Sequence, residues 1–207
     1  MVYISNLSSM QLDALREIGN IGAGNAATAM AELIKAKIDM NVPNVKILPF
    51  GDVPDLLGGA DCHIIGIYLD VGGSVSSNIL FILPIEQACL LVDLLMGKEV
   101  GESKADNLGE IELSAMREMG NIIAATYLNA LAAFTGLTLR PSVPALAIDM
   151  AGAVLDAVLA RFGEVADHVL LLETCFKKDV HNVVGHFLLL PEPEALDTIL
   201  SALGVSN

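Results

Sequence analysis

The chain has 207 residues, 54% of them hydrophobic and only 17% charged, so it can bury a sizeable core and does not have the composition of a disordered protein. Its formal net charge of −14 at pH 7, with 11 Lys and Arg that never cluster, excludes the basic footprint of a nucleic-acid-binding protein and disfavours an anionic membrane surface. The three cysteines are scattered and form no C-x-x-C pair, which indicates neither a disulfide framework nor a zinc site.

The first half of the chain predicts a long helix, an extended segment, two apolar strands and a closing helix. Ser8-x-x-Gln11 is a capping box for the long helix. The segment that follows contains two prolines and is therefore extended rather than helical. In chain order the predicted elements are 9–35, 42–49, 62–71, 76–83 and 85–96.

The second half predicts the same elements in the same order, with Asn107-x-x-Glu110 as the cap of its long helix. One further helix, from about Asp149 to Phe162, replaces a shorter segment of the first half and breaks the likeness of the two halves. The other predicted elements are 108–135, 137–148, 168–176, 180–190 and 193–203.

The chain repeats itself. Asn6 to Ile21 (NLSSMQLDALREIGNI) returns 101 residues later as Asn107 to Ile122 (NLGEIELSAMREMGNI), with nine of sixteen positions identical. We therefore expect one domain, 1–207, built of two repeats at about 6–97 and 107–204. Strands of both repeats should join in one sheet with helices packed on it, which is an α+β fold with a pseudo-twofold axis.

Each long helix carries a polar stripe. In the first copy Asp13, Glu17 and Asn20 lie within about 60° of one helical face, because successive residues are about 100° apart. Small residues such as Gly22 surround the stripe, and glycine inside a helix predicts the close approach of another backbone. The second copy has Ser114, Glu118 and Asn121 at the corresponding positions.

The chemistry of this stripe is that of a carboxamide and a carboxylate. No histidine lies nearby in the sequence to activate a nucleophile, and there are too few ligands for a metal. A carboxamide can hold and orient a water molecule, as a glutamine does in GTP hydrolysis. A carboxylate can pair with a lysine of a docked partner. The pattern is compatible with a site where water attacks phosphorus. A phosphorylated partner would then supply most of the remaining catalytic groups.

Two other functions fit parts of the sequence. Gly22-Ala23-Gly24-Asn25-Ala26-Ala27 matches a dinucleotide-binding G-x-G-x-x-A pattern, but the residues before it predict a helix where that motif requires a strand. A non-catalytic adaptor would use the same docking face as an enzyme, so the sequence leaves that alternative open.

These residues resemble the CheC/CheX/FliY family of bacterial chemotaxis phosphatases, whose signature is Asp or Ser, three residues, Glu, two residues, Asn. The chain carries it as Asp13-x-x-x-Glu17-x-x-Asn20 and as Ser114-x-x-x-Glu118-x-x-Asn121. The likeness extends over the whole chain, and two complete motifs are typical of the CheC branch. It implies two long motif-bearing helices packed on a mainly antiparallel sheet of about six strands.

The resemblance also implies an activity and its partners. The activity is hydrolysis of the aspartyl phosphate on the response regulator CheY, with Asn20 and Asn121 orienting the water and Glu17 and Glu118 contacting a lysine of the regulator. Asp13 and Ser114 would support the motif. Mg²⁺ would come from the regulator, and the chain itself would hold no cofactor or metal.

A second implied partner is the deamidase CheD. We expect its contact at the extra helix, around Asp149, Val154 and Leu155, because this helix breaks the symmetry of the halves. Ordinary packing of that helix is the alternative. The N-terminus has no signal-peptide pattern, so a cytoplasmic two-component signalling protein is expected.

Overall fold

The computed structural model describes residues 7–162 and 168–205, so residue 6, where the first repeat was predicted to begin, lies outside the described residues. The α-helices in this part of the chain are α1 Ser9–Ile34, α2 Val53–Leu56, α3 Ile85–Met96, α4 Glu110–Thr135, α5 Ala151–Phe162 and α6 Pro193–Ala202. The strands are β1 Asp39–Pro49, β2 His63–Gly73, β3 Ser77–Pro84, β4 Leu139–Pro141, β5 Ala145–Met150, β6 His168–Lys178 and β7 His181–Pro191.

The strands form one antiparallel sheet in the order β1-β6-β7-β3-β2-β4, and β5 also pairs with β2. The predicted α+β fold with a mainly antiparallel sheet is confirmed. The described sheet has seven strands rather than about six because two short strands, β4 and β5, share one edge position. Pro144 lies between them and has no N–H to give to the ladder, which explains the interruption.

The two halves of the chain exchange strands. β3 and β7 pair at the centre of the sheet, where Phe81 lies opposite Phe187. β1 of the first half pairs with β6 of the second, while β4 and β5 of the second half pair with β2 of the first. Each half therefore completes the sheet of the other.

Helices cover both faces of the sheet. Along β3 the odd-numbered residues, such as Ile79 and Phe81, belong to the core that lies under α1, α3 and α4. The even-numbered Leu80 and Ile82 belong to a second core under α5. Successive residues of a strand point to opposite faces, so a strand covered on both sides is apolar throughout.

The cap of the first long helix is confirmed and that of the second is corrected. At α1, the Ser8 amide donates to Gln11 Oε1 at 2.8 Å, and Gln11 N donates to Ser8 Oγ at 3.4 Å. At α4 the N-cap is Gly109, whose N–H donates to the Glu112 carboxylate at 2.9 Å. Asn107 instead closes the preceding turn by accepting from Lys104 N at 2.6 Å.

One segment without charged residues, Ile122 to Leu139, approaches the length of a membrane span in the sequence. In the structure α4 ends at Thr135, and Gly136 adopts a left-handed conformation with φ of 71°. Within residues 7–162 and 168–205, none of the helices has the length and apolar character that crossing a membrane requires.

Candidate functional site

The two motif-bearing helices pack closely against each other. Gly22 of α1 lies against Tyr127 of α4, where a Cβ on the glycine would be 2.9 Å from the tyrosine Cα. Real Cβ atoms do not approach a backbone so closely, so glycine is what allows this contact. The close approach predicted from the glycines of the stripe is therefore confirmed at Gly22. Gly24 differs, since a Cβ there would meet nothing within 4 Å.

The helices run antiparallel, so their motifs lie at opposite ends of the pair. Leu15 and Ile18 of α1 share a small cavity with Leu131 near the end of α4. Conversely, Glu118 near the start of α4 borders a groove that Ile34 lines at the end of α1. The structure thus gathers each predicted motif on one helical face and keeps the two motifs apart, as two sites rather than one.

The residues of each stripe are accessible. Asp13, Glu17, Ser114 and Glu118 are exposed, and Asn20 and Asn121 are half-buried. Their side chains therefore stand on the surface of the helix pair, where a docked protein could contact them. The dinucleotide-binding alternative is excluded, because its glycines lie inside α1 and no strand precedes them among the described residues.

In the first motif, side chains are already engaged within the chain. Asn20 Oδ1 accepts a hydrogen bond from the backbone N–H of Val42 in β1 at 2.9 Å, and its Nδ2 donates to the Arg16 carbonyl at 3.2 Å. Asp13 and Arg16 form an ion pair at 2.9 Å with both side chains about half exposed. Arg16 therefore neutralises one acidic charge beside this motif.

In the second motif the same positions are free of such contacts. Across residues 7–162 and 168–205, Ser114, Glu118 and Asn121 make no side-chain hydrogen bond or ion pair. Ser114 and Glu118 border a surface groove of about 570 Å³ between α1, α3 and α4. The groove is lined by Leu33, Ile34, Met96, Ile111, Ser114 and Glu118, among others.

Large exposed apolar side chains flank both motifs. Met10 is 68% exposed at the start of α1, and Phe134 is 55% exposed in the last turn of α4. At the other end of the helix pair, Ile111 and Leu33 are 70% and 58% exposed. Exposed apolar groups beside a polar stripe are typical of a protein-docking surface. These four residues were not predicted from the sequence, although each one lies off the buried face of its helix.

The three residues proposed to contact a second partner differ in their exposure to solvent. Asp149 is exposed at the end of β5, where its Oδ1 accepts from Met150 N at 2.8 Å. Val154 and Leu155 are only 6% and 2% exposed and pack in the core under α5. The expectation that these two side chains offer a contact surface is therefore wrong. The α5 residues that do face solvent include Ala153 and Asp156.

The described residues hold no group of three or more His, Cys, Asp and Glu side chains that could bind a metal ion. What each stripe can do on its own is limited to hydrogen bonding and charge pairing. An amide can accept from and donate to a water molecule, and a carboxylate can accept from a cation of a partner. Such a site becomes complete only when a partner brings the reacting group.

Comparison with known proteins finds relatives over the whole chain. A model of the CheC-like family matches residues 10–47 and 111–148, which contain the two motifs. The CheY-P phosphatase CheC of Bacillus subtilis is 38% identical over 210 residues, and the alignment covers 100% of both chains. The flagellar motor switch phosphatase FliY of the same organism is 32% identical over 118 residues, covering 57% of this chain and 30% of FliY.

Solved structures have the same fold. Thermotoga maritima FliY superimposes with a TM-score of 0.78 at 20% identity, over 96% of this chain and 98% of that one. The FliM middle domain of Helicobacter pylori gives a TM-score of 0.68 at 13% identity, over 95% and 99% of the two chains. At these identities the likeness concerns the fold alone.

Proposed function

We propose that this chain, which belongs to the CheC-like family of phosphatases, hydrolyses the aspartyl phosphate of a CheY-type response regulator. One observation carries the proposal: a Glu-x-x-Asn pair, with the glutamate exposed and the asparagine half-buried, stands on each of two long helices, at Glu17 with Asn20 and at Glu118 with Asn121. The name of the 38% identical relative, a CheY-P phosphatase, supports the choice of substrate.

The motif would act by placing a water molecule. The water oxygen attacks phosphorus as the bond from phosphorus to the aspartyl oxygen breaks, leaving a carboxylate on the regulator and inorganic phosphate that carries the water's protons. The asparagine amide holds this water in line with the breaking bond. The glutamate pairs with the regulator's active-site lysine and sets the register of docking. Asp13 and Ser114, one turn before the glutamates, would support the docking face.

The regulator would also supply Mg²⁺, which neutralises charge on the phosphoryl oxygens. That source is consistent with the surface on which the motifs lie, because a Glu and an Asn three residues apart on an exposed helix make a poor metal site alone. The exposed Leu33 and Ile111 beside Glu118 would add apolar contact area to the docking.

Three further features belong to the proposal. The exchange of strands between the halves supports one domain, 1–207, built of two repeats. CheD would bind at the solvent-facing side of α5 and at Asp149 rather than through the buried Val154 and Leu155. The chain would work in the cytoplasm, where response regulators act.

The alternative is an adaptor that binds a regulator or CheD without catalysis. Stopped-flow measurement of regulator dephosphorylation, with the chain at one-twentieth of the regulator concentration, separates the two. We expect multiple turnovers per chain. Regulator phosphate that decays at its spontaneous rate, despite binding seen by titration, would establish the adaptor and refute the phosphatase.

A further inference from the structure

The two motifs differ because equivalent segments of the two halves fold differently. The repeat offset of 101 residues pairs Val42-Pro43 with Val143-Pro144. Val42 is 1% exposed and faces α1, whereas Val143 is 88% exposed and points to solvent. The equivalent valines of the two repeats are therefore placed oppositely, which the repeated sequence does not indicate.

The cause lies in how each edge strand pairs with its neighbour. In the second half Ser142 makes two hydrogen bonds to Asp70 of β2. Its N–H donates to the Asp70 carbonyl at 2.8 Å, and its Oγ accepts from Asp70 N at 3.0 Å. The next residue, Val143, faces solvent. In the first half the bulge between Asn41 and Asn44 turns inward and brings Val42 N–H to Asn20.

The different placement of Val42 and Val143 affects the two asparagine amides that would orient water. The Asn20 amide is held toward β1 through its oxygen and toward its own helix through its nitrogen, at 2.9 Å and 3.2 Å. The Asn121 amide is free of hydrogen bonds to the described residues. The Asn20 amide cannot rotate toward a docked phosphoryl group without leaving the buried Val42 N–H unpaired, which disfavours the rotated state by about 5- to 150-fold.

We propose that the motif at Asn121 is the working site and that β1 holds the motif at Asn20 latched through Val42. The inference rests on the proposed function and deepens it: the chain has two motifs but one site that is open at rest. The ion pair between Asp13 and Arg16 reinforces the difference, since Ser114 offers no such pair. The regulator therefore docks productively at the α4 motif, beside the groove lined by Leu33 and Ile111.

A matched pair of isosteric substitutions tests this. Asn20→Asp keeps an oxygen that accepts from Val42 N–H, so the contact with β1 is preserved, although the bond to the Arg16 carbonyl is lost. Asn121→Asp removes the amide donors and places a negative charge against the phosphoryl group. We expect kcat to fall about 100-fold in Asn121→Asp, the scale of losing one positioning group, and by a much smaller factor in Asn20→Asp. Equal losses in the two variants would overturn the latch.

The assay keeps the two proposals apart. Absence of turnover by the unsubstituted chain refutes the phosphatase itself, whereas turnover with equal losses refutes only the latch. Thermal unfolding of both variants controls for damage to the fold.

A second measurement does not depend on activity. In nuclear magnetic resonance spectra, a regulator carrying beryllofluoride in place of phosphate should shift the side-chain NH₂ signals of Asn121. The Val42 amide should stay protected from hydrogen exchange, with the Asn20 signals in place. Loss of Val42 protection, together with a shift of the Asn20 signals, would contradict the proposal.

Discussion

Replacing Gly22 by alanine tests the contact that sets the distance between the motif-bearing helices. The added Cβ would lie 2.9 Å from Tyr127 Cα and 3.1 Å from its Cγ, so either helix must move. Overpacking of this kind costs about 1–3 kcal/mol, against a gain of up to about 1 kcal/mol for replacing a helical glycine. The expected net loss in the free energy of unfolding is up to about 2.5 kcal/mol.

Gly24→Ala is the matched control. It lies two residues further along α1 and its Cβ would meet nothing within 4 Å, so only the helix-propensity gain of about 0.5–1 kcal/mol remains. In a chain of this size 1 kcal/mol shifts Tm by about 2–4 °C. Calorimetry should therefore find Gly22→Ala up to about 10 °C below the unsubstituted protein and Gly24→Ala above it. If Gly22→Ala proved as stable as Gly24→Ala, the close helix contact would be refuted.

Three further predictions concern docking and pH. Glu118→Ala should raise the half-saturating concentration of phosphorylated regulator several-fold in stopped-flow assays, and an unchanged value would refute pairing with a lysine. Ile111→Ser should raise the same concentration with kcat within twofold, because it removes apolar contact area. Leu56→Ser, at a 39% exposed residue of α2 on the opposite side of the sheet, should have no effect. The hydrogen bond from Lys98 at 2.7 Å lowers the pKa of Glu112 from its ordinary 4.5. The stability this pair contributes is present above pH 4.5 and is lost as the pH falls through the lowered pKa. The unfolding free energies of the protein and of Glu112→Gln should therefore converge at acid pH, and a constant difference would contradict the assignment.

Patterns of residues close together in the sequence predicted most of the helices and strands. The closing helix α3 was predicted at its observed bounds, Ile85–Met96, and the capping box at Ser8 marked the start of α1. Both depend on residues close together in the chain. The start of α4 was misplaced because Asn107 and Gly109 can each cap a helix, and the choice depends on Glu112 bonding back to Gly109.

Burial on α5 shows where sequence reasoning failed. Val154 and Leu155 were expected at a partner surface because their helix replaces a shorter segment of the first half and breaks the likeness of the two halves. They are core residues, since Gly66 of β2 leaves room for Val154, whose Cγ1 would be 2.8 Å from a Cβ at that glycine. The contact joins residues far apart in the chain, and no spacing within α5 reveals it.

The sequence alone determined that the chain carries two Glu-x-x-Asn stripes on two long helices, because helical periodicity and repetition are local properties. Tertiary structure alone decided that the two are unlike. Asn20 meets Val42 because β1 turns inward at its bulge, while Ser142 ties the equivalent segment to β2 and leaves Asn121 open. Each outcome depends on a backbone hydrogen bond between strands or between strand and helix, and such pairing follows from how the whole sheet assembles.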